Sequence, residues 1–267
     1  MIAGGMVLYR MEQKNLLYGF CLLFGLGLLS RLFSFLSLQR MAEPSSTYNK
    51  EDVFSFLQFF LRLKKSNFAK FVIFVAAMNF SVNLAAPYFA VFMLQDLSFN
   101  YFLYAMVTIA APLALYLTVR RWGRHADQVG SLKVLRLTSK CFPLIPLLWI
   151  VGQAPWYLVM VEMFSGFLWA GFNLCAANFI YDAASPQKRT RCIAYFNVVN
   201  GFALSCGALL GGFMVRHLPP LFGYKILMLF FISAILRLAV SWTLPRMLKE
   251  VRHVEHIKSL DLFFSMI

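Results

Sequence analysis

The sequence is poor in charge, and poorest in acids. Asp, Glu, Lys and Arg together make up 13% of its 267 residues, whereas soluble domains average about 25%. The acids number 11 against 25 Lys and Arg, which leaves a formal net charge of +14. In a soluble protein this excess suggests a nucleic-acid partner, but here the basic residues stand at the ends of apolar runs. We therefore predict a lipid bilayer as the partner of these charges, and no nucleic acid.

Cysteine and histidine are too scattered for a predicted metal site or disulfide framework. No Cys-x-x-Cys pair occurs, and the cysteines lie in or at the ends of apolar runs, as small packing residues do. The histidines all lie outside the apolar runs, and they are His125, His217, His253 and His256. No His/Glu cluster or Ser/His pair falls at matching depth. We predict no metal, no cofactor and no enzyme activity.

What the sequence does contain is long apolar runs, with 60% hydrophobic residues overall. A large soluble helical domain would need amphipathic stripes with polar outer faces, and these are mostly absent. Runs of about 18 residues or more can cross the roughly 30 Å hydrocarbon core as helices. The predicted spans are Leu16–Leu38, Phe71–Leu94, Tyr101–Val119, Leu132–Val151, Trp156–Tyr181, Ile193–Val215 and Lys225–Leu244. The predicted fold class is an all-α integral membrane protein with about seven transmembrane helices.

The fourth run is the weakest, because Lys140, Pro143 and Pro146 interrupt it. A kinked membrane helix tolerates such prolines where neighbouring helices satisfy the freed carbonyls. We therefore keep it as a span.

The connections between spans alternate in charge. Those after the first, third, fifth and seventh spans are rich in Lys and Arg, whereas the others, Gln95–Asn100, Gly152–Pro155 and Arg216–Tyr224, hold one arginine in total. The positive-inside rule places the basic set in the cytoplasm. We predict a protein of the plasma membrane with a cytoplasmic C-terminus.

Two helix ends resemble each other. Arg31–Met41 and Arg237–Met247 align without a gap, and the identical pairs are Arg31/Arg237, Leu32/Leu238, Leu38/Leu244, Arg40/Arg246 and Met41/Met247. Parallel six-helix halves of this kind occur in secondary transporters. The alternative is chance similarity between two Leu-rich helix ends. Both Arg31 and Arg237 are expected to snorkel to the inner surface.

Two cytoplasmic connections resemble a known family. Gly123-x-x-x-Asp127-x-x-Gly130, followed by Lys133, resembles the loop signature of the major facilitator superfamily, and we interpret Gly123–Leu135 as a short charged turn. That signature lies between helices two and three of the family and recurs, weaker, between helices eight and nine. The stretch from Asp182 to Arg191 resembles the family's connection between helices ten and eleven. His125, Gln128, Ser131 and Leu132 depart from the pattern.

The resemblance implies the C-terminal half of such a transporter, helices six to twelve. Residues 1–38 would end the preceding repeat, with Met1–Tyr9 as the stub of a further helix. Residues 39–70 would form a cytoplasmic linker whose Ser55–Leu63 is an amphipathic surface helix. Residues 71–246 would form one six-helix repeat, and 247–267 a cytoplasmic tail. The function implied is transport of a small solute by alternating access, and it requires an N-terminal half that this chain lacks.

The resemblance also implies a cytoplasmic gate. Gly123 and Gly130 permit a tight turn, and Asp127 can approach the positive end of the helix that starts near Arg191. The alternative is a solvated inner loop that obeys only the positive-inside rule. The gating residues are predicted to be Gly123, Arg124, Asp127, Gly130, Lys133, Asp182 and Arg189.

Polar residues inside spans are the candidates for a substrate cavity. They are Asn79, Asn83, Glu162, Trp169, Asn173, Asn197 and Asn200, on the helices that line the cavity in the family. The alternative is hydrogen bonding between helices. Glu162 is the only acid well inside a span, so it is the candidate for proton coupling unless it stays hydrated near the outer surface. Gly207-x-x-x-Gly211, with Gly201 and Gly212, predicts a close helix contact.

Other functions remain as alternatives. A non-transporting remnant of such a transporter would share the fold. A seven-helix receptor or retinal protein fits the span count, but no lysine lies in the middle of the seventh span.

Overall fold

The computed structural model describes residues 16–40 and 66–250, together with residues 4, 6–8 and 11. The described part contains helices and no strand. Its helices are α1 (Leu16–Leu38), α2 (Asn67–Asn83), α3 (Ala86–Val91), α4 (Tyr101–Val129), α5 (Ser131–Cys141), α6 (Leu144–Val151), α7 (Pro155–Ala183), α8 (Pro186–His217) and α9 (Lys225–Thr243). A π-helical turn, Phe92–Asp96, extends α3, and a 3₁₀ turn, Leu244–Met247, extends α9.

Among the described residues, seven spans are long and apolar enough to cross a membrane. α2 with α3 forms one span, α5 with α6 forms another, and the other long helices form one each. The chain is therefore an integral membrane protein of the all-α class, as the sequence predicts.

The helices extend further than the apolar runs. α4 continues ten residues past Val119, because nothing from Arg120 onward breaks a helix until Gly130, whose φ of 95° ends it. The interpretation of Gly123–Leu135 as a turn is therefore wrong: the stretch is the last turns of α4, one break at Gly130, and the start of α5. α8 likewise begins early, at Pro186, because proline fits the first helical position.

α1 stands apart from the other spans. Nearly all of its side chains are exposed. The ring of Phe20 contacts that of Tyr101 on α4, with the ring centres 6.1 Å apart. The predicted surface helix Ser55–Leu63, most of the 39–70 linker, most of the Met1–Tyr9 stub and the tail beyond residue 250 lie outside the described residues.

The other six spans form a bundle of two three-helix units. The first unit holds α2/α3, α4 and α5/α6, and the second holds α7, α8 and α9. Exchanging the units matches α2/α3 with α7, α4 with α8, and α5/α6 with α9. α2 packs extensively on α8, and the matching pair, α7 and α4, also packs extensively. α2 also packs on α9 as α7 packs on α5, while α9 contacts both α5 and α6. The helix contacts are thus symmetric under exchange of the units. Because each unit crosses the membrane three times, the two units have opposite orientations.

Glycines allow the closest of these contacts. A methyl group at Gly207 would lie 2.5 Å from the Phe80 carbonyl oxygen, and one at Gly211 would lie 2.1 Å from that of Leu84. The predicted close contact is therefore confirmed between α8 and α2. It is wrong for Gly201, which has no atom of another part of the fold within 4 Å. At Gly212 the same methyl group would meet the hydroxyl oxygen of Tyr88 at 2.6 Å.

Gly166 and Gly171 do the same for α7 and α4. A methyl group at Gly166 would lie 2.0 Å from the carbonyl oxygen of Ala111. Gly171 receives the fully buried ring of Trp122, whose Nε1 donates a hydrogen bond of 2.8 Å to the Phe167 carbonyl.

Two of the spans are broken within the bundle. The Ala85 amide bonds to the carbonyl of Val82 instead of that of Ser81, its usual helical partner, so the Ser81 carbonyl loses its donor within the helix. Pro146 has no N–H to offer the carbonyl of Phe142, four residues earlier. In hydrocarbon such carbonyls need other donors.

Arg237 of α9 supplies them from the centre of the bundle. Its guanidinium donates to the carbonyls of Phe142 (3.3 Å) and Val82 (3.5 Å) and to Ser233 Oγ (3.1 Å). Ser233 in turn donates to the Ser81 carbonyl at 2.6 Å. Arg237 is 2% exposed, so the expectation that it snorkels is wrong: its partners lie in the core. Arg31, its partner in the predicted repeat, is exposed.

Candidate functional site

An amide pair joins the two units at the α2–α8 contact. Asn79 Nδ2 donates to Asn200 Oδ1 at 2.8 Å, and Asn83 Nδ2 donates to the Asn79 carbonyl at 3.0 Å. All three side chains are only partly buried. The structure therefore brings three of the seven cavity candidates together, at the seam between units of opposite orientation.

Two further candidates are exposed. Asn197 lies on α8 about one turn from Asn200, and Asn173 lies on α7. α8 is also the least covered span of the six-helix bundle, with 11% of its most apolar stretch buried. Primary amides facing lipid are costly. We therefore expect water or another protein surface, and not lipid, to cover Asn173 and Asn197.

Trp169 packs in an aromatic cluster with Phe142 and Phe172. Its ring lies 4.6 Å from that of Phe142 and 5.7 Å from that of Phe172. These contacts give Trp169 a packing role between α7 and the break that separates α5 from α6. Its role in a cavity stays a prediction.

Glu162 is paired with a buried indole. The Nε1 of Trp149 is buried and has no hydrogen-bond partner of normal geometry among the described residues, and the Glu162 side chain is near enough to interact with it. Glu162 lies seven residues into α7, about 10 Å from the start of that helix at Pro155. The carboxylate therefore lies beside α6, and no recorded hydrogen bond joins it to Asn79, Asn83 or Asn200.

The predicted gating residues lie at one end of the bundle, which we call the basic end because Arg120, Arg121, Arg124 and Arg246 are exposed there. Arg124 and Asp127 are exposed on the last turns of α4, and Lys133 is half-buried at the start of α5. Gly123 has room for a side chain, since a methyl group there would meet Leu174 at 3.6 Å. Gly130 alone fits the predicted glycine role. The contact of Asp127 with the start of α8 stays a prediction.

Asp182 and Arg189 flank a very short connection. α7 ends at Ala183 and α8 begins at Pro186, so most of the stretch interpreted as a loop is helical. Arg189 donates to the Tyr181 carbonyl at 3.1 Å, and its guanidinium lies 4.9 Å from the centre of the Tyr181 ring. Arg189 therefore holds the turn between the two helices, while Asp182 is exposed.

Sequence reasoning missed the segment that follows α9. Residues 245–250, which we call the terminal strap, cross the basic end. Glu250 accepts a hydrogen bond from the Leu132 amide at 2.9 Å and so caps α5. Asn67, the first residue of α2, donates to the Lys249 carbonyl and accepts from its amide, at 2.7 and 3.0 Å. Partners more than 100 residues apart leave no local pattern that could reveal this contact.

Arg136 of α5 fixes the same strap. Its Nε and Nη2 donate to the Pro245 carbonyl at 3.1 and 2.9 Å, and Nη2 also donates to the Leu248 carbonyl at 2.8 Å. The strap thus closes the basic ends of α2 and α5 against the end of α9.

Comparison with known proteins adds no relative. No family model, curated protein or solved structure matches the chain.

Proposed function

We propose that this protein is a secondary active transporter that moves a small solute across the plasma membrane by alternating access. The observation that carries the proposal is the exchange symmetry of the helix contacts. Nested three-helix repeats of inverted orientation are a common plan of secondary transporters, and in the major facilitator superfamily they build each six-helix half. The described bundle from α2 to α9 has this plan.

Symmetry of this kind has a mechanical consequence. When two units of opposite orientation pack in the same way, exchanging their conformations turns an outward opening into an inward one. The hinge of that exchange would be the seams between units, where Gly207 and Gly211 allow α8 to approach the α2 backbone. The polar pair Asn79 and Asn200 lies at the same seam.

The exposed amides support a second proposal, that another six-helix unit covers this bundle. A transport path between two halves would keep Asn173 and Asn197 in contact with water or solute instead of lipid. Such a unit can belong to a longer form of the same protein or to a second chain. Without that unit we expect the chain to fold but not to transport, as a non-transporting remnant of such a transporter would.

We further propose that the basic end lies in the cytoplasm, together with the C-terminus. The exposed arginines of α4 and of the terminal strap stand at that end, as the positive-inside rule requires. Glu162 would then lie toward the outer end of α7, where a carboxylate can exchange protons with the outside.

The seven-helix receptor is the less favoured alternative. A receptor of that class packs all its spans around one ligand pocket, whereas α1 here has almost no buried surface. The six other spans form the symmetric bundle without it.

Thiol labelling of α8 tests the aqueous surface. In a background without the five native cysteines, we expect Asn197→Cys to react with a water-soluble maleimide in membranes at least tenfold faster than Phe202→Cys. Phe202 is the matched control, since it is 72% exposed on the same helix but turned by about 140°. Equal, slow reaction at both positions would mean that lipid covers both faces, and would contradict the proposed transport path.

A further inference from the structure

A basic pocket opens between α5 and the end of α9. The cavity measures about 340 Å³ and is lined by Arg136, Lys140, Ser241, Trp242, Pro245 and Arg246. Three of these six residues are cationic, and none is acidic. We keep the name basic pocket for this set. Two of the three charges, those of Lys140 and Arg246, are exposed and are not required for holding the helices.

The pocket is built, and not merely a cluster of flexible side chains. Three hydrogen bonds to the terminal strap hold the Arg136 guanidinium in one orientation. The guanidinium of Arg246 lies 5.6 Å from the centre of the Trp242 ring, which fixes it by a cation–π contact. Ser241, which also lines the pocket, is buried. Two arginines and one lysine therefore line a space large enough for a phosphate group and its ester.

An apolar track leads from the pocket along α9. Phe231, Ile235, Leu238 and Trp242 follow one another at spacings of four, three and four residues, and so they share one face of the helix. All four are between 41% and 54% exposed. The track runs from the helix end into the membrane, and the indole of Trp242 stands where interfacial aromatic residues meet the headgroups.

We propose that the basic pocket binds the phosphate-bearing headgroup of an anionic phospholipid whose acyl chain lies along the α9 track. Basic pockets between transmembrane helices bind such headgroups, and the charge of +3 without a lining acid is complementary to them. A free phosphate ion would share the charge but would leave the track unused. The inference rests on the membrane fold and does not require the proposed transport.

The site also lies beside the hydrogen bonds that hold the terminal strap to α2 and α5. Arg136 lies one turn from Leu132, which Glu250 caps, and Arg246 belongs to the strap that binds Asn67. A headgroup between Arg136, Lys140 and Arg246 therefore tightens the hold of the strap on the basic ends of α2 and α5.

The experiment compares two double variants of the full chain purified in mild detergent. Lys140→Gln with Arg246→Gln removes two charges from the basic pocket. Arg120→Gln with Arg124→Gln removes two exposed charges of α4 at the same end, outside the pocket. Native mass spectrometry then measures bound lipid from an equimolar mixture of phosphatidylglycerol and phosphatidylcholine, and thermal unfolding is followed with each lipid and with inorganic phosphate.

The wild type and the α4 pair are expected to retain phosphatidylglycerol preferentially and to unfold at higher temperature when it is added. The pocket pair should lose this preference about tenfold and lose the stabilisation. Equal losses in both pairs, no preference in the wild type, or equal stabilisation by inorganic phosphate would each overturn the proposal. None of these readouts depends on solute flux, so their failure leaves the transport proposal in place.

Discussion

Replacing Arg237 by alanine is expected to lower the free energy of unfolding by about 2–4 kcal/mol. The change removes the charged hydrogen bonds from Arg237 to the core carbonyls of Val82 and Phe142, which keep one backbone donor each, Ala85 and Ile145. A hydrogen bond that involves a charged group contributes about 1.5–3 kcal/mol. Both carbonyls lie at helix breaks, so the loss should loosen α2 from α3 and α5 from α6 together. Thermal unfolding of the detergent-purified protein, followed by size-exclusion chromatography, measures the effect.

Arg31→Ala is the matched control for this change. It removes the same side chain from an exposed position of α1, and we expect no shift of the unfolding midpoint. Arg237→Lys should fall between the two, because one ammonium cannot reach both carbonyls with a planar fork. Equal stability of the Arg237→Ala and Arg31→Ala variants would refute the role of Arg237 as the donor for both breaks.

Replacing Gly211 by valine is expected to disrupt the α2–α8 seam. Its Cβ would stand 2.1 Å from the Leu84 carbonyl oxygen, and backbone atoms of a packed helix can only move apart as a whole. Overpacking typically costs about 1–3 kcal/mol, and occasionally more. We expect the larger end of that range, measured as a lower unfolding midpoint and a smaller folded fraction in detergent.

Gly201→Val is the control on the same helix. Nothing outside the neighbouring backbone lies within 4 Å of a methyl group at Gly201, so the substitution should leave the unfolding midpoint within experimental error of the wild type. A similar loss for both valine variants would show that helix propensity, and not the seam, sets the effect.

The number and order of the spans could be predicted from the sequence, but the helix ends could not. Length and hydropathy identify a span because the bilayer fixes both. The polar stretch from Arg120 to Val129 marks the edge of the apolar run, yet it contains no residue that stops a helix. α4 therefore continues to Gly130, where a positive φ ends it. Polarity located the edge of the apolar run, whereas backbone chemistry located the end of the helix.

The burial of Arg237 could not be predicted from the sequence, although the need for a donor near its position could. The prolines of the fourth span predicted that neighbouring helices must satisfy freed carbonyls, and this expectation is confirmed for Phe142. Which side chain does so depends on packing between residues 95 and 155 positions apart in the chain. In the sequence, Arg237 has no acid nearby and lies close to the basic residue Arg246, so the sequence alone assigns it to the membrane surface.

The candidate site was predicted only in part for the same reason. Because amides inside the membrane need hydrogen-bond partners, the sequence identified Asn79 and Asn200 as contacts of a substrate or of another helix. The structure joins them to each other across 121 residues. That bond fits the alternative of hydrogen bonding between helices as well as a cavity wall. Asn173 and Asn197, which are exposed, carry the cavity prediction further than the paired amides do.

Alternating access is the central claim, and two-sided labelling tests it most directly. In sealed vesicles from cells in which the covering six-helix unit is also present, Asn197→Cys should react with a membrane-impermeant maleimide whether the reagent is added outside or trapped inside. Two exposed reference positions define the sides: Arg120→Cys at the basic end should react only from the cytoplasmic side, and Phe222→Cys only from the outer side. Reaction of Asn197→Cys from one side alone, with both references behaving as expected, would contradict alternating access.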